Sequence, residues 1–508
     1  MAASPSEGEG WGEGENERLD GLERKSETWQ QAADLAAALG RLPLALEHAA
    51  AYVASKGSSY ASYHQLFNER QNELWQRAEK PERYHATITT TWELAFDEIK
   101  KTPGALELLN LCCFLDPESV PLALIYQIST VKAQHAAPLQ AVVADELALD
   151  DALGALRRYS LVQKADGALA LHRLVQAVAR SRMDEDLSQS WLETAVKLLV
   201  DQFNYDQNDM RSWAYCGELL PHVTFAVNLA EQVTYETSSV AYLNNEGGRY
   251  LQFFGNFAAT KPFLERAAQI YESISGSEHP HTATSLNNLG FLLKAMGDLP
   301  AARPFFERAL AIYEKALGPD HPDTALSLNN LGFLLKAMGD LPAARPFYEY
   351  ALAIREKALG PDHPDTAQSL NNLGFLLRAM GDLPAARPFY ERALAIREKA
   401  LGPDHPDTAQ SLNNLGLLLK AMGDLAAARQ FYERALAITE NALGPDHPTT
   451  AIRLNNLAWL AHDEGDFAEA ARLMRQALAI LEKRLGPDHP DTVRSRNNLA
   501  AIEAKISS

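Results

Sequence analysis

The pattern of apolar and polar residues becomes strictly periodic in the second half of the chain. From about residue 240 onward, leucine, alanine and aromatic residues recur at the three- and four-residue spacing of amphipathic helices. A His-Pro dipeptide returns every 42 residues, with its histidine at His279, His321, His363, His405, His447 and His489. Each period predicts two helices, the first over Thr282–Met296 and the second over Leu299–Leu317. Gly297 ends the first helix, and Gly318-Pro319 ends the second.

A short motif inside each period identifies the type of repeat. The first helix carries L-x-x-L-G-x-x-L, with Gly290 in the middle, and Ala302 and Phe306 follow the turn. This pattern resembles the tetratricopeptide repeat, and the longer unit with NNLG and HPDTA is most similar to the kinesin-light-chain form. The resemblance implies stacked helix pairs that share one core and coil into a right-handed superhelix with a concave groove. The terminal half-repeat after Pro490 is expected to cap the array.

One face of the first helices is the candidate binding surface. Asn287, Phe291 and Lys294 stand at i, i+4 and i+7, so they share a face that the core leucines do not occupy. Asparagine can hydrogen-bond an extended backbone, and a row of cations favours carboxylates, so the predicted ligand is a protein or peptide, acidic in character. The predicted partner-binding residues are Asn287, Asn329, Asn371, Asn413, Asn455, Phe291, Phe333, Phe375, Lys294, Lys336, Arg378 and Lys420.

The same residues have a structural alternative. One asparagine of each pair can bond to a neighbouring helix, and the cations can be ordinary solvated surface residues. The repeated histidines are one repeat apart, roughly 10 Å for stacked helices, which is too far for two of them to share a metal ion. They are therefore expected to be turn and cap residues.

The first half of the chain has a different organisation. Helical segments at His85–Lys101 and Ala105–Ile125 precede the β-prone runs SLVQ and ALALH, which flank Asp166-Gly167, a strong hairpin-turn signal. A group of helices followed by a small hairpin is typical of a winged-helix domain. The expected fold is therefore mainly α, with a winged-helix-like module and a β-hairpin before an α-solenoid of tetratricopeptide repeats.

Short motifs in this half resemble the C-terminal part of NB-ARC-type signalling ATPases. Gly40 to Leu46 matches the GLPL motif of that family, and Leu171-His172-Arg173 stands where the family has its Met-His-Asp sensor. The resemblance implies that Pro43 lies near an adenine base and that His172 faces a β-phosphate. A phosphate-binding loop requires Gly-Lys, and the chain contains no Gly-Lys dipeptide, so both residues are interpreted as vestiges of a nucleotide sensor.

Composition narrows the class of partner. The formal net charge of −19 argues against binding to nucleic acid or to anionic membranes. The three cysteines have no metal-ligand spacing, and no signal peptide or long apolar run is evident, so a soluble cytoplasmic monomer without metal or cofactor is expected.

The predicted divisions of the chain are a disordered acidic N-terminus (1–27), an NB-ARC remnant (28–84), a winged-helix-like domain (85–184), a helical bridge (185–236) and the solenoid (237–508).

The sequence supports three functional hypotheses. The first is a non-enzymatic scaffold that holds a partner protein or peptide in the concave groove, with a regulatory or signalling role. The second is the partner-sensing part of an ATP-driven NB-ARC switch whose nucleotide domain lies on another chain or upstream. The third is a cargo adaptor like kinesin light chain, which would carry sustained heptads before its repeats, and the sequence has none.

Overall fold

The computed structural model of the chain describes residues 28–39, 41, 46, 49–50, 53, 57–77 and 95–506. The chain divides into two compact units, residues 1–198 and residues 199–508. The described residues of both units are predominantly helical, and they include a small three-stranded sheet that contains the predicted hairpin. The acidic N-terminus, Pro43 and the part of the predicted helix before residue 95 lie outside the described residues.

The first unit is an assembly of short helices. Residues 28–38 and 95–99 are helical, and two 3-10 turns lie at Gln127–Thr130 and Gln134–Ala136. The other helices are α1 (Tyr60–Arg77), α2 (Ala105–Cys112), α3 (Leu122–Tyr126), α4 (Ala137–Val143), α5 (Glu146–Arg158), α6 (Arg173–Ser181) and α7 (Glu185–Gln202), the last of which runs past the unit boundary.

The predicted hairpin is present between α5 and α6. Strands β2 (Val162–Ala165) and β3 (Ala168–Leu171) pair antiparallel. Asp166 and Gly167 form the turn with φ angles of 46° and 79°, the left-handed values that a tight hairpin turn requires. A further strand, β1 (Val120–Pro121), pairs with β3 on its other edge. The sequence did not predict β1, and the predicted helix over Ala105–Ile125 was wrong in its extent, because α2 ends at Cys112 and β1 separates it from α3.

The second unit is a regular array of helix pairs preceded by α8 (Met210–Gln232). Within residues 238–485 the structure has six pairs, which we number as repeats 1 to 6. They are α9 (Ser238–Phe253) with α10 (Phe257–Ser275), α11 (Pro280–Ala295) with α12 (Leu299–Ala316), α13 (Pro322–Ala337) with α14 (Leu341–Ala358), α15 (Pro364–Ala379) with α16 (Leu383–Leu401), α17 (Pro406–Ala421) with α18 (Leu425–Leu443), and α19 (Pro448–Asp463) with α20 (Phe467–Leu485). Helix α21 (Pro490–Ile506) closes the array.

Each pair is held together by close packing of the first helix against the second. A Cβ atom placed on Gly332 of α13 would lie 3.1 Å from the ring of Tyr348 in α14. The glycine of the L-x-x-L-G-x-x-L motif therefore lies where the two helices of a pair approach closely. The buried leucines and alanines of successive repeats join Tyr348 and its equivalents Phe306, Tyr390 and Tyr432 in one continuous core.

The first helices of neighbouring repeats lie on the inner side of the array. Helix α9 packs directly on α11, α11 on α13, α13 on α15, and α15 on α17, in addition to the packing within each pair. Direct contact between alternate helices places them on the side toward which the array curves. Residues on the exposed face of these first helices therefore line the inner surface.

Candidate functional site

The repeated histidines cap the first helices. In repeats 2 to 6 and in α21, the histidine Nδ1 accepts a hydrogen bond from the backbone N–H two residues later, at 3.0–3.2 Å. The proline that follows occupies the first turn, where its missing N–H has no cost. The interpretation of these histidines as turn and cap residues is confirmed.

The first asparagine of each pair is occupied by the packing between repeats. Asn287, Asn329, Asn371 and Asn413 are only 2–6% exposed. Asn371 Nδ2 donates to Ser411 Oγ at 3.1 Å, and Asn371 Oδ1 accepts from Asn414 Nδ2 at 3.3 Å. Asn455 is half-buried and accepts from Asn498 at 3.4 Å. The structural alternative, in which one asparagine of each pair bonds to a neighbouring helix, therefore describes the contacts of Asn329, Asn371, Asn413 and Asn455, whereas Asn287 Oδ1 is buried without a hydrogen-bond partner.

The aromatic and cationic residues form a continuous column across three repeats. Lys294 Nζ lies 4.1 Å from the centre of the Phe333 ring in the next repeat. Lys336 Nζ lies 3.4 Å from the Phe375 ring and 5.6 Å from the Phe333 ring, and Arg378 Cζ lies 5.1 Å from the Phe375 ring. We call these five residues the cation column. Its members belong to α11, α13 and α15, so it runs across the inner surface.

The electrostatics of the cation column leave its positive charge uncompensated. Burial, followed by the charges of Arg378 and Lys294, lowers the pKa of Lys336 to about 8, and no carboxylate among the described residues opposes this shift. Burial also lowers the pKa of Lys294. Like charges held together in a half-buried position favour the arrival of an anion, which would relieve their repulsion.

The column does not extend into the later repeats. At the equivalent position of repeat 5, Lys420 Nζ lies 2.9 Å from Asp463 Oδ2 and donates to the backbone oxygen of Trp459 at 3.2 Å. Leu417 replaces the phenylalanine there. In repeat 2, the Phe291 ring packs edge-on against Phe306, 5.1 Å between centres, as part of the packing within its pair. The predicted binding residues therefore form two groups. The five residues of the cation column lie together on the inner surface, and the asparagines, Phe291 and Lys420 make contacts within the array.

His172, the residue interpreted as a vestigial sensor, caps a helix. Its Nδ1 accepts from the backbone N–H of Leu174 at the start of α6, at 3.2 Å. Burial, and then the charge of Arg173, lower its pKa, so the imidazole is neutral as the cap requires. Pro43, the other residue interpreted as part of that sensor, lies outside the described residues.

Sequence reasoning missed the connection between repeats. It grouped Asn287, Phe291 and Lys294 on one helix, whereas Lys294 contacts a phenylalanine 39 residues later. The sequence contained a signal of this contact, since Lys336 and Phe375 are also 39 residues apart.

Among the described residues, no three potential metal ligands cluster in a way that could hold an ion. In the same part of the chain, no helix has the length and apolar character needed to span a bilayer.

Comparison with family models identifies the array. Residues 239–315, 284–357, 323–399, 365–441 and 416–483 each match the model described as tetratricopeptide repeat. Residues 94–188 match a domain of unknown function, DUF7779. The second unit is therefore an α-solenoid of tetratricopeptide repeats.

Individual proteins with related sequence or structure cover parts of the chain. It is 27% identical over 274 residues to a nucleotide-binding leucine-rich repeat (NLR)-like protein of Hyaloscypha variabilis, an alignment that covers 49% of this chain and 25% of that protein. The chain thus spans about a quarter of the length of this relative. A crystal structure of a Podosopora anserina putative kinesin light chain with nearly identical TPR-like repeats is 28% identical, with a TM-score of 0.34, and covers 40% of this chain and 97% of that one. BtubC (BKLC) from P. vanneervenii is 24% identical, with a TM-score of 0.39, and covers 44% and 91%.

Proposed function

We propose that the tetratricopeptide array is a non-enzymatic interaction scaffold that holds an extended acidic segment of a partner protein along its inner surface. The observation that carries this proposal is the cation column, in which three cations stand beside phenylalanine rings and no carboxylate of the described residues offsets the lowered pKa of Lys336. Aspartate or glutamate side chains of a partner would supply the missing charge. The rings would pack on the apolar parts of the same segment.

The asparagines predicted to bind the ligand have a supporting role in this proposal. The amide of Asn329 donates to Ser369 Oγ at 3.2 Å and so joins α13 to α15, the two helices across which Lys336 lies over Phe375. Of the residues predicted from sequence, Lys294, Lys336, Arg378, Phe333 and Phe375 carry the binding. The proposal places the protein in the cytoplasm as a monomer with a regulatory role, and its buried free thiols, Cys112, Cys113 and Cys216, are compatible with a reducing compartment.

A binding experiment with a defined probe tests the proposal. Fluorescein-labelled deca-glutamate is titrated with the full chain, and fluorescence anisotropy is measured at low and high salt. The triple variant Lys294→Met, Lys336→Met and Arg378→Met removes the charges of the column and keeps side chains of comparable length. We expect binding that saturates for the parent protein, at least tenfold weaker binding for the variant, and weaker binding for both at high salt.

A matched control separates the column from general charge. Lys315, Lys357 and Lys399 recur at the same interval but are exposed, and they pair with Glu278, Asp320 and Asp362, each in the loop that precedes the repeat of its lysine. The triple variant Lys315→Met, Lys357→Met and Lys399→Met changes the net charge by the same amount and should bind deca-glutamate like the parent. Equal loss of affinity in both variants would show that the column has no special role.

A second candidate function is a part in a nucleotide-driven signalling switch. The name of the Hyaloscypha relative and the resemblance of the GLPL and Leu-His-Arg positions to NB-ARC ATPases favour it. In that case the array would sense the partner, and a nucleotide-binding domain would be supplied by another chain or by sequence upstream. Inspection of the adjoining coding sequence for Gly-x-x-x-x-Gly-Lys-Ser/Thr tests this candidate, since a switch of this class requires that loop.

A further inference from the structure

The beginning of the second unit contacts its end. The loop before α8 and the end of α9 lie against the first turns of α19 and α21. His447 Nε2 donates to the backbone oxygen of Gln207 at 3.0 Å, and His489 Nε2 donates to the backbone oxygen of Phe253 at 3.1 Å. In both histidines Nδ1 is already an acceptor for the helix cap, so the proton is on Nε2. We call these two hydrogen bonds and the surrounding residues the closing contact.

The closing contact is specific to the ends of the array. His321 and His405 cap their helices in the same way, yet each side chain is 40% exposed, whereas His447 is 2% exposed. The rings of Trp213 and His447 are 5.4 Å apart. The burial of His447 therefore comes from the start of the array, which covers a position that other repeats leave open.

A glycine makes the close approach at the second hydrogen bond. A Cβ atom on Gly255 would lie 2.9 Å from His489 Cδ2 and 3.1 Å from Pro490 Cδ. Gly297 holds the equivalent position one repeat later, with a similar positive φ, and a Cβ there would meet nothing within 4 Å. A side chain at 255 would thus wedge the ends of the array apart, and one at 297 would not.

The closing contact is adjacent to the cation column. A cavity of about 520 Å³ lies between its two histidines, and its lining includes Gln207, Gln252 and Lys294. Lys294 is the first member of the cation column. With the ends in contact, this end of the column faces a space that the start of the array covers.

We propose that the closing contact is a latch that restricts access to the cation column and opens when an extended partner binds. This inference rests on the proposed function. The two hydrogen bonds between neutral groups contribute little net free energy in water, so the free-energy difference between the closed and open states is set mainly by the packing around His447 and Gly255. A protein that is closed most of the time binds its ligand with an apparent affinity reduced by the open fraction.

The substitution Gly255→Leu tests the latch, with Gly297→Leu as its matched control. Both place leucine at a positive φ, so backbone strain is common to the two variants, but only Gly255→Leu displaces α21. We expect the maximum dimension from small-angle X-ray scattering to increase for Gly255→Leu by on the order of 10 Å, the diameter of one helix. We also expect the association rate of labelled deca-glutamate to rise by about threefold or more. Gly297→Leu should change neither quantity.

A second pair of variants guards against misfolding of Gly255→Leu. Asparagine can cap a helix as histidine does, but it is too short to reach across to the opposite backbone oxygen. The double variant His447→Asn and His489→Asn should therefore open the array, and His363→Asn with His405→Asn should not. Circular dichroism should show equal helicity in all four proteins.

The outcomes of these experiments test the latch and the proposed binding function separately. An unchanged maximum dimension in both opening variants, or an increased dimension without faster association, would overturn the latch. Absence of deca-glutamate binding in the parent and in every variant would overturn the proposed function, and the latch with it. Faster association confined to the opening variants would support both.

Discussion

Lys336 lies between two phenylalanine rings and two other cations, and its protonation state links stability to binding. Its pKa falls from an ordinary value of 10.5 to about 8, through burial first and then through Arg378 and Lys294. Between these pH values the unfolded chain binds more protons than the folded chain, so stability rises with pH across the window from 8 to 10.5. Below pH 8 the folded protein carries a charge that costs stability.

Removing this charge should stabilise the protein and weaken binding. At pH 7, Lys336→Met should raise the Tm by about 2–4 °C, because it removes a desolvated and repelled ammonium. The difference from the parent should shrink by pH 10, where Lys336 is neutral in the folded protein. For the parent, the affinity for deca-glutamate should fall as the pH rises through 8. Thermal unfolding at the two pH values and anisotropy across the range measure these effects.

Lys357→Met is the control, because the environment of Lys357 has the opposite effect. A hydrogen bond to Asp320 raises the pKa of Lys357, so that charge is favoured in the folded state. Its replacement should leave the Tm unchanged or lower it, and binding should be unaffected. If Lys357→Met had a higher Tm at pH 7 than Lys336→Met, the claim that the charge of Lys336 destabilises the folded protein would be refuted.

The asparagines show why residue roles were only partly predictable. Helical spacing correctly placed Asn371 and Arg378 near one face, since i and i+7 are always neighbours. The partner of Asn371 is Ser411, which is 40 residues away and belongs to the next repeat. Spacing within one helix contains no information about which residue of a neighbouring helix will take a hydrogen bond.

Buried arginines join the second helix of one repeat to the first helix of the next. Arg397 of α16 donates to Ser411 Oγ at 3.1 Å and to Gln368 Oε1 at 2.7 Å. One repeat later the residue equivalent to Arg397 is Thr439, and the residue equivalent to Ser411 is Arg453. Arg453 of α19 donates to Gln410 Oε1 at 2.9 Å, and Gln410 is the equivalent of Gln368. In both repeats a guanidinium group therefore hydrogen-bonds the equivalent glutamine. Arg397 reaches it from the second helix of the same repeat, and Arg453 reaches it from the first helix of the next repeat.

This exchange predicts a strong coupling between positions 439 and 453. Arg453→Ser should cost on the order of 1–3 kcal/mol, because Gln410 loses its partner and a buried space opens. Thr439→Arg alone should also destabilise, since it puts two guanidinium groups in one buried space. The double variant rebuilds the arrangement of the preceding repeat and should recover most of the lost stability. Urea unfolding of the four proteins measures the coupling, and strictly additive changes would contradict the exchange.

The elements themselves were largely predictable from the sequence. The predicted limits of α11 and α12 agree with the structure within two residues, because glycine and proline mark the helix ends. The hairpin followed from Asp166-Gly167. Strand β1 was missed because it is two residues long and includes Pro121, which leaves no alternation to detect.

At the scale of the whole array, the sequence predicted a superhelix but not the contact between its ends. Curvature accumulates from a small rotation at each repeat, so the position of α19 relative to Gln207 depends on all the repeats between them. His447 and His405 both follow Gly-Pro-Asp and precede a proline, yet of the two only His447 meets the start of the array. Local pattern therefore identified the repeat and the inner face, and it could not identify the latch.

Site-specific photocrosslinking tests the central claim that an acidic segment lies along the inner surface. The photoreactive p-benzoylphenylalanine replaces Phe333 in the column or, as a control, Tyr350, which is 42% exposed on the second helix of the same repeat. Each protein is irradiated with labelled deca-glutamate, and the crosslinked product is quantified by mass spectrometry. We expect a crosslink from position 333 that excess unlabelled deca-glutamate competes away, and little from position 350. Equal crosslinking from both positions, or a crosslink from position 350 alone, would contradict the account.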